Sequence, residues 1–306
     1  MRATFKNFQP DRAIAPSRGS ATVMAMDSTL PAPIVIAPRN GIPVLLSIPH
    51  SGRDYPDWLL REARHGRRAL QSLEDPLVDR LAWRALAAGF GAVIARTPRG
   101  AIDCNRSPDE LDPASIAPDS NLPFAPLGLR ASHGLGIIAS RTHHYGPLWR
   151  TPLARDRFEQ RLATVHTAYH DAIAAQLARL AREHGTALLL DLHSMPPTRR
   201  EPVVIGDRHG ASAAPWLADA AAQIATRSGF RAIRNDPYAG GYIVERHGRP
   251  AAGLHAIQIE IDRSAYLARD LMSPGTGFDR ASYLLLALTE GLAERLSSPI
   301  SAIAAE

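Results

Sequence analysis

Two histidines stand where apolar runs end, far apart in the chain. His50 follows VLLSIP (44–49), and His193 lies within ALLLDLHSMPP (187–197). A neutral imidazole is the commonest metal ligand, and two of them at strand ends of one sheet could share an ion. Taken singly, each would pass for a turn or core residue; the pair is what suggests chemistry. A hydrolytic zinc site needs three protein ligands and one open position. Cys104 is the only cysteine, so the third ligand must be a histidine or a carboxylate. The segment LEDPLVDRL (73–81) offers Glu74, Asp75 and Asp79, acids that would otherwise cap a helix or complement its dipole.

Further candidates flank this set. Glu260 sits in AIQIEID (256–262), a run whose alternate residues are apolar. A carboxylate in a buried strand is costly unless it is paired or functional. It is either a general base or the partner of an arginine such as Arg263. Asp103, Asn105 and Arg106 lie in AIDCNRSP (101–108). An arginine fork there could recognise a carboxylate, although the composition by itself describes a surface turn. His143 and His144 are adjacent on a loop, and His166 and His170 lie four apart on a helix without the glutamate of an HExxH motif, so these read as loop and helix-surface residues. No GxSxG elbow, P-loop or GxGxxG is present, which removes the common serine hydrolase, NTPase and dinucleotide-binding readings.

The elements that must position these residues alternate. Short apolar runs at 44–48, 92–96, 136–140, 187–192, 203–206 and 255–261 read as strands. A helix is expected from Pro76 to Ala88, with Gly89 as its stop. The strongest helical period joins Phe158, Leu162, Val165, Tyr169, Ile173, Leu177 and Leu180, ending at Gly185. Two more helices follow Pro215 and Asp279. The pattern predicts an α/β fold: one domain over 33–306, with a mixed, mostly parallel sheet covered by helices on both faces. In such sheets ligands bind beyond the carboxyl ends of the strands, where His50, His193 and the residues after Ile259 fall. The stretch 97–135 is a long loop of the kind that usually carries function. Residues 1–32, rich in Ala, Ser and Pro, read as a loose N-terminal extension.

Composition narrows the partners. A net charge of +5 could suggest nucleic acid, but Lys6 is the only lysine and the arginines are scattered. The densest cluster, Arg64 to Arg68, has no aromatic platform beside it, so it reads as a solvated helix face rather than a nucleic-acid surface. No run of eighteen apolar residues exists to span a membrane, and no secretory leader is apparent. One cysteine forbids an internal disulfide and fits a reducing compartment. The expectation is a cytoplasmic protein, monomeric or a small homo-oligomer, with a small-molecule substrate.

Seven segments, in order from about Pro43 to Leu267, carry a family resemblance: IPHSG (48–52), EDPLVDRL (74–81), IDCNRSP (102–108), GLGII (134–138), LDLHSMP (190–196), NDPYAGGYI (235–243) and QIEIDRSAY (258–266). Together they resemble the N-formylglutamate amidohydrolase family, a branch of the zinc carboxypeptidase-like hydrolases with a phosphorylase/hydrolase-like α/β fold. The resemblance implies one zinc ion on His50, an acid of the 74–79 segment and His193. Carboxypeptidases take that acid three residues after the first histidine, where this chain has Arg53; the acid must come from elsewhere, and the resemblance implies Asp75, where related sequences also carry an acid, with Asp79 as the alternative. It further implies Glu260 as general base, Asn105 and Arg106 on the substrate α-carboxylate, and Arg141 and Tyr242 near its side-chain carboxylate. The implied reaction is hydrolysis of N-formyl-L-glutamate to formate and glutamate, as in one histidine-degradation route. A carboxypeptidase or other N-acyl amino acid deacylase on the same fold is the alternative, and a non-catalytic basic binding protein a more distant one.

Overall fold

The computed structural model describes residues 30–39, 41–118, 128–198 and 203–297. The expected N-terminal extension therefore lies almost wholly outside the described residues. Its last stretch is packed down: Leu30 is buried, and Thr97 donates a hydrogen bond to the Pro31 carbonyl.

Seven strands form the main sheet: β1 (Ile34–Ile36), β2 (Val44–Ile48), β3 (Gly91–Ile94), β6 (Ala187–Met195), β7 (Val203–Gly206), β8 (Ala232–Arg234) and β9 (Leu254–Asp262). A separate two-stranded ribbon joins β4 (Arg141–Thr142) and β5 (Gly146–Pro147). The order across the main sheet is β1-β3-β2-β6-β9-β7-β8. β3, β2, β6 and β9 are mutually parallel, whereas β1 runs antiparallel to β3, and β7, with β8 parallel to it, runs antiparallel to β9. The sheet is thus mixed and mostly parallel, as the alternation of elements predicts. β1 and β8 span three residues each, too few to show a periodicity.

Side chains of β6 alternate between two cores. Leu188, Leu190 and Leu192 join the helices Pro215–Arg227 and Phe278–Ser297 on one face. Ala187 and Leu189 face the helix Ala168–His184, which contributes Tyr169, Ile173, Leu177 and Leu180. A strand covered on both sides must be apolar on both sides, and all nine of its residues are buried. On the second face the apolar run stops at Asp191, then His193. Register places Ser47, Asp191 and Gln258 in one row across β2, β6 and β9. His193 and Glu260 are paired in the next row towards the carboxyl end. The polar residues therefore occupy the rim of one face, while the opposite face stays apolar as far as Ile48, Leu192 and Ile261.

Three expected elements differ. GIIAS (136–140) is not a strand; apart from a single bridge between Leu135 and Ala139, it is irregular, with Ile137 exchanging backbone hydrogen bonds with Asp103 and Glu110. A short apolar run signals burial without specifying the element. The helix expected from Pro76 is split into Val78–Leu81 and Trp83–Ala87 and starts late, because Leu77 adopts a left-handed conformation with φ of 62°. The long helical period contains a π-helical turn, Leu162–Thr167, between Arg155–Arg161 and Ala168–His184. Gly185 ends it in the left-handed region, φ 75°, where glycine has no Cβ penalty. Among the described residues no helix is long and apolar enough to cross a membrane.

Candidate functional site

β2 delivers His50 through the IPH turn, and β6 delivers His193 directly. The Asp75 backbone N–H donates to the His50 carbonyl at 3.0 Å, which fixes the acidic segment beside the first histidine. The three side chains converge. His50 Nδ1 lies 3.1 Å from Asp75 Oδ2, His193 Nδ1 lies 3.0 Å from the same oxygen, and the two Nδ1 atoms are 3.1 Å apart.

What lies behind each ring decides its proton. His50 Nε2 is 2.7 Å from Asp103 Oδ1, and His193 Nε2 is 2.8 Å from Asp191 Oδ2. A carboxylate only accepts, so both Nε2 atoms donate, leaving both Nδ1 atoms with lone pairs. Asp103 is held in turn by Arg99 Nε at 2.9 Å, and Asp191 accepts from Ser47 Oγ at 2.8 Å. Two lone pairs and a carboxylate oxygen thus meet at edges of 3.0–3.1 Å. Such a corner repels itself unless a cation or a proton occupies it. Edges this short let one ion reach all three atoms with bonds of about 2 Å, and carboxylates behind the imidazoles are the usual outer support of a metal site. The donor set therefore fits a divalent ion.

The electrostatics express the same demand. His193 is held well above its ordinary pKa; burial opposes this, but Asp191 and Asp75 prevail. Asp75 is held well below the carboxylate range: its burial is outweighed by hydrogen bonds to His193 and His50. Without an ion, a proton takes the cation's place. Asp103 is also held well below its range, its burial overcome by Arg99, His50 and Arg106.

Of the three acids in the 74–79 segment, Asp75 is the one at the histidines. Asp79 is engaged by Arg53 through two bonds, 3.1 and 2.6 Å, so the arginine in the carboxypeptidase acid position binds the alternative ligand. Glu74 accepts from the Tyr55 hydroxyl. Glu260 does not pair with Arg263, which instead donates to Ser194, to the Glu74 carbonyl and to Asp75. Glu260 instead accepts from Gln258 Nε2 at 2.9 Å. Burial first, with Asp75 adding and His193 opposing, pushes Glu260 up to about 7, a value suited to taking and returning a proton near neutrality.

These groups line a cavity of about 280 Å³ that also includes Asn105, Arg106, Arg130 and Tyr238. Asn105 is held from the NDPYAGGY side. Its Oδ1 accepts from the Ile243 N–H at 2.9 Å, and a Cβ on Gly241 would lie 2.4–2.6 Å from its amide atoms, which only glycine avoids. Arg106 spends Nε and Nη1 on the Leu135 and Asn105 carbonyls; its Nη2 makes no hydrogen bond to a described residue.

Two expected contacts are absent from this cavity. Arg141 is directed away by β4: it donates to the Ser132 carbonyl and to Asp112 and lines a neighbouring cavity with His133, His143 and His144. Tyr242 lies behind Asn105, stacked on His166 at 5.8 Å and edge-on to His170 at 5.2 Å. His166 and His170 are buried rather than on the helix surface. They donate to the Arg106 and Cys104 carbonyls, each at 2.9 Å, the two that flank Asn105. Arg99, Arg130, Tyr238 and Gln258 were given no role from the sequence. Only Gln258 carried a signal there, being one strand period from Glu260 on the same face.

Comparison with known proteins agrees with this geometry. The sequence model of the N-formylglutamate amidohydrolase family matches residues 42–267. N-formylglutamate deformylase of Pseudomonas aeruginosa is 30% identical over 240 residues, covering 75% of this chain and 84% of that protein. The Pseudomonas putida protein of the same name is 29% identical over 245 residues, covering 75% and 83%. Among solved structures, N-formylglutamate amidohydrolase from Ralstonia eutropha JMP134 superposes with a TM-score of 0.79 at 29% identity, covering 87% of this chain and 98% of that one. The chain belongs to the N-formylglutamate amidohydrolase family.

Proposed function

We propose that the protein hydrolyses the amide of N-formyl-L-glutamate, giving formate and L-glutamate, with one zinc ion held by His50, Asp75 and His193. The observation that carries this is the corner of three acceptor atoms, each imidazole backed by a carboxylate, facing a cavity that also holds Glu260. Bound there, zinc supplies Lewis acidity to the formyl carbonyl. Glu260 takes the proton of the attacking water and returns it to the departing nitrogen, so that a C–O bond forms as the C–N bond breaks. Arg106 Nη2 and the Asn105 amide hold the α-carboxylate. They are presented rigidly because their carbonyls and Oδ1 are already bonded. Family membership and the names of the two Pseudomonas relatives support the formyl substrate. The reaction would close a histidine-degradation route in the cytoplasm, a compartment in keeping with a lone buried thiol.

The test is a substrate panel on the zinc-loaded protein: N-formyl, N-acetyl and N-succinyl amino acids against short peptides. Turnover should be highest on N-formyl-L-glutamate. Cleavage of peptides with N-formyl-L-glutamate left untouched would replace this reading with a carboxypeptidase.

A further inference from the structure

The cavity holds more positive charge than its own carboxylates use. Four arginines line it: Arg99, Arg106, Arg130 and Arg263. Arg99 is committed to Asp103 and the Leu73 carbonyl. Arg263 is committed to Asp75, Ser194 and the Glu74 carbonyl. Arg106 has one nitrogen to spare, as described above. Arg130, on the single turn Leu129–Ser132, makes no side-chain hydrogen bond or ion pair with any described residue, although it lies within the cavity wall. Its nearest charged neighbours are felt rather than bonded. Burial lowers Arg106 to about 10, and Arg99 and Arg130 push it further down against the pull of Asp103. Two guanidinium groups, which among the described residues leave one nitrogen of Arg106 and the whole fork of Arg130 without a hydrogen-bond partner, thus line one cavity.

Tyr238 lines the same space. Burial and the proximity of Glu260 raise its phenol above the ordinary value, and Arg130 opposes the rise. It therefore stays protonated and can donate. A cationic fork beside a phenolic O–H is a carboxylate-binding pair. A substrate with one carboxylate would occupy Arg106 and Asn105 and leave Arg130 facing it unneutralised; a substrate with two would engage both.

We infer that Arg130, assisted by Tyr238, binds the second carboxylate of a dicarboxylic N-acyl amino acid and sets the preference for an acidic side chain. The inference rests on reading this cavity as an N-acyl amino acid site. It assigns to Arg130 the role that the sequence resemblance implied for Arg141, which is occupied with Asp112 and Ser132 one cavity away.

The experiment compares wild type, Arg130→Met, Arg130→Lys and Arg141→Met as metal-replete proteins of equal metal content. Two readouts are taken: kcat/KM on N-formyl-L-glutamate against N-formyl-L-glutamine, and calorimetric binding of L-glutamate against L-glutamine. Arg130→Met should lower the preference for the acidic partner by roughly 10- to 100-fold in both readouts, the usual worth of a hydrogen bond to a charged group. The loss should appear in KM more than in kcat, and Arg130→Lys should restore part of it. Arg141→Met should leave the preference as in wild type. An unchanged preference in Arg130→Met, a wild type without preference in binding, or a preference lost in Arg141→Met instead would overturn the inference. If no N-formyl amino acid is hydrolysed by any of the proteins, the proposed function fails by itself, and the binding comparison still decides the role of Arg130.

Discussion

The protein buries two histidine clusters, and they differ in what stands behind the rings. At the sheet rim His50 and His193 are backed by Asp103 and Asp191, so their lone pairs point at a common centre shared with Asp75. Some residues away, His166, His170 and His247 are backed by backbone carbonyls and by one another. His170 Nε2 donates to the Cys104 carbonyl, and its Nδ1 accepts from His247 Nε2 at 2.9 Å. Both ring nitrogens of His170 are satisfied, and among the described residues no carboxylate is hydrogen-bonded to these three rings. Burial then dominates: His170 is lowered to about 2 and His247 to about 3. Equal burial of one residue type gives opposite outcomes. Carboxylates make a centre that calls for a cation, and carbonyls make a neutral prop beneath Asn105 and Arg106.

Mutation should separate the two clusters sharply. His193→Ala removes a proposed ligand, and metal measured by mass spectrometry or plasma emission should fall from about one ion per chain to near zero, with hydrolysis lost alongside. Metal retained at full occupancy would dissolve the contrast. Glu260→Gln should instead keep the ion and lower kcat by about 10²- to 10⁴-fold, the usual contribution of a general base. If Glu260→Gln turns over normally, Glu260 carries no proton. A gentler change is Asp103→Asn, which leaves the ligand in place but weakens its support. Chelator competition should show metal affinity about 10- to 100-fold lower. The matching change in the other cluster, His247→Gln, should not alter that affinity.

The sequence made one cluster legible and concealed the other. His50, His193 and Glu260 end strongly apolar strands, and a strand end is one of the few positions that sequence pattern places accurately in space. Asp75 needed the family resemblance, because Glu74 and Asp79 have equal chemistry and only packing shows them bonded to Tyr55 and Arg53. His166 and His170 read as helix-surface residues, because their spacing of four lacks the glutamate of an HExxH motif and gives no other reason to bury them. Both are buried, His166 within the π turn Leu162–Thr167 and His170 on the helix that follows it. Arg130 lies on a single helical turn and Tyr238 in an irregular segment, and neither is long enough for a periodicity to tie its residues to a place. The fold was accessible because burial on both sheet faces imposes a pattern on the chain, and loop geometry imposes none.

The smallest expected effect is on stability, and it distinguishes the clusters by sign. In the unfolded chain His170 and His247 titrate near the ordinary value of 6.5. In the native state burial keeps both neutral down to about 2 and 3, with Arg246 close enough to oppose a proton on either ring. Between these limits the unfolded chain binds protons that the native chain refuses, so stability falls as pH drops below about 6.5. At pH 5 each such histidine costs about 2 kcal/mol relative to neutral pH. His193 is shifted the other way in the metal-free protein, its contribution being complete below 6.5 and lost as pH rises. Replacing His247 by Gln removes one depressed group while keeping a donor for His170. The fall in urea-unfolding free energy from pH 7 to pH 5 should therefore shrink by about 2 kcal/mol relative to wild type. Parallel pH profiles for the two proteins would mean that His247 accepts its proton without cost, and that the second cluster is not the neutral prop that separates it from the first.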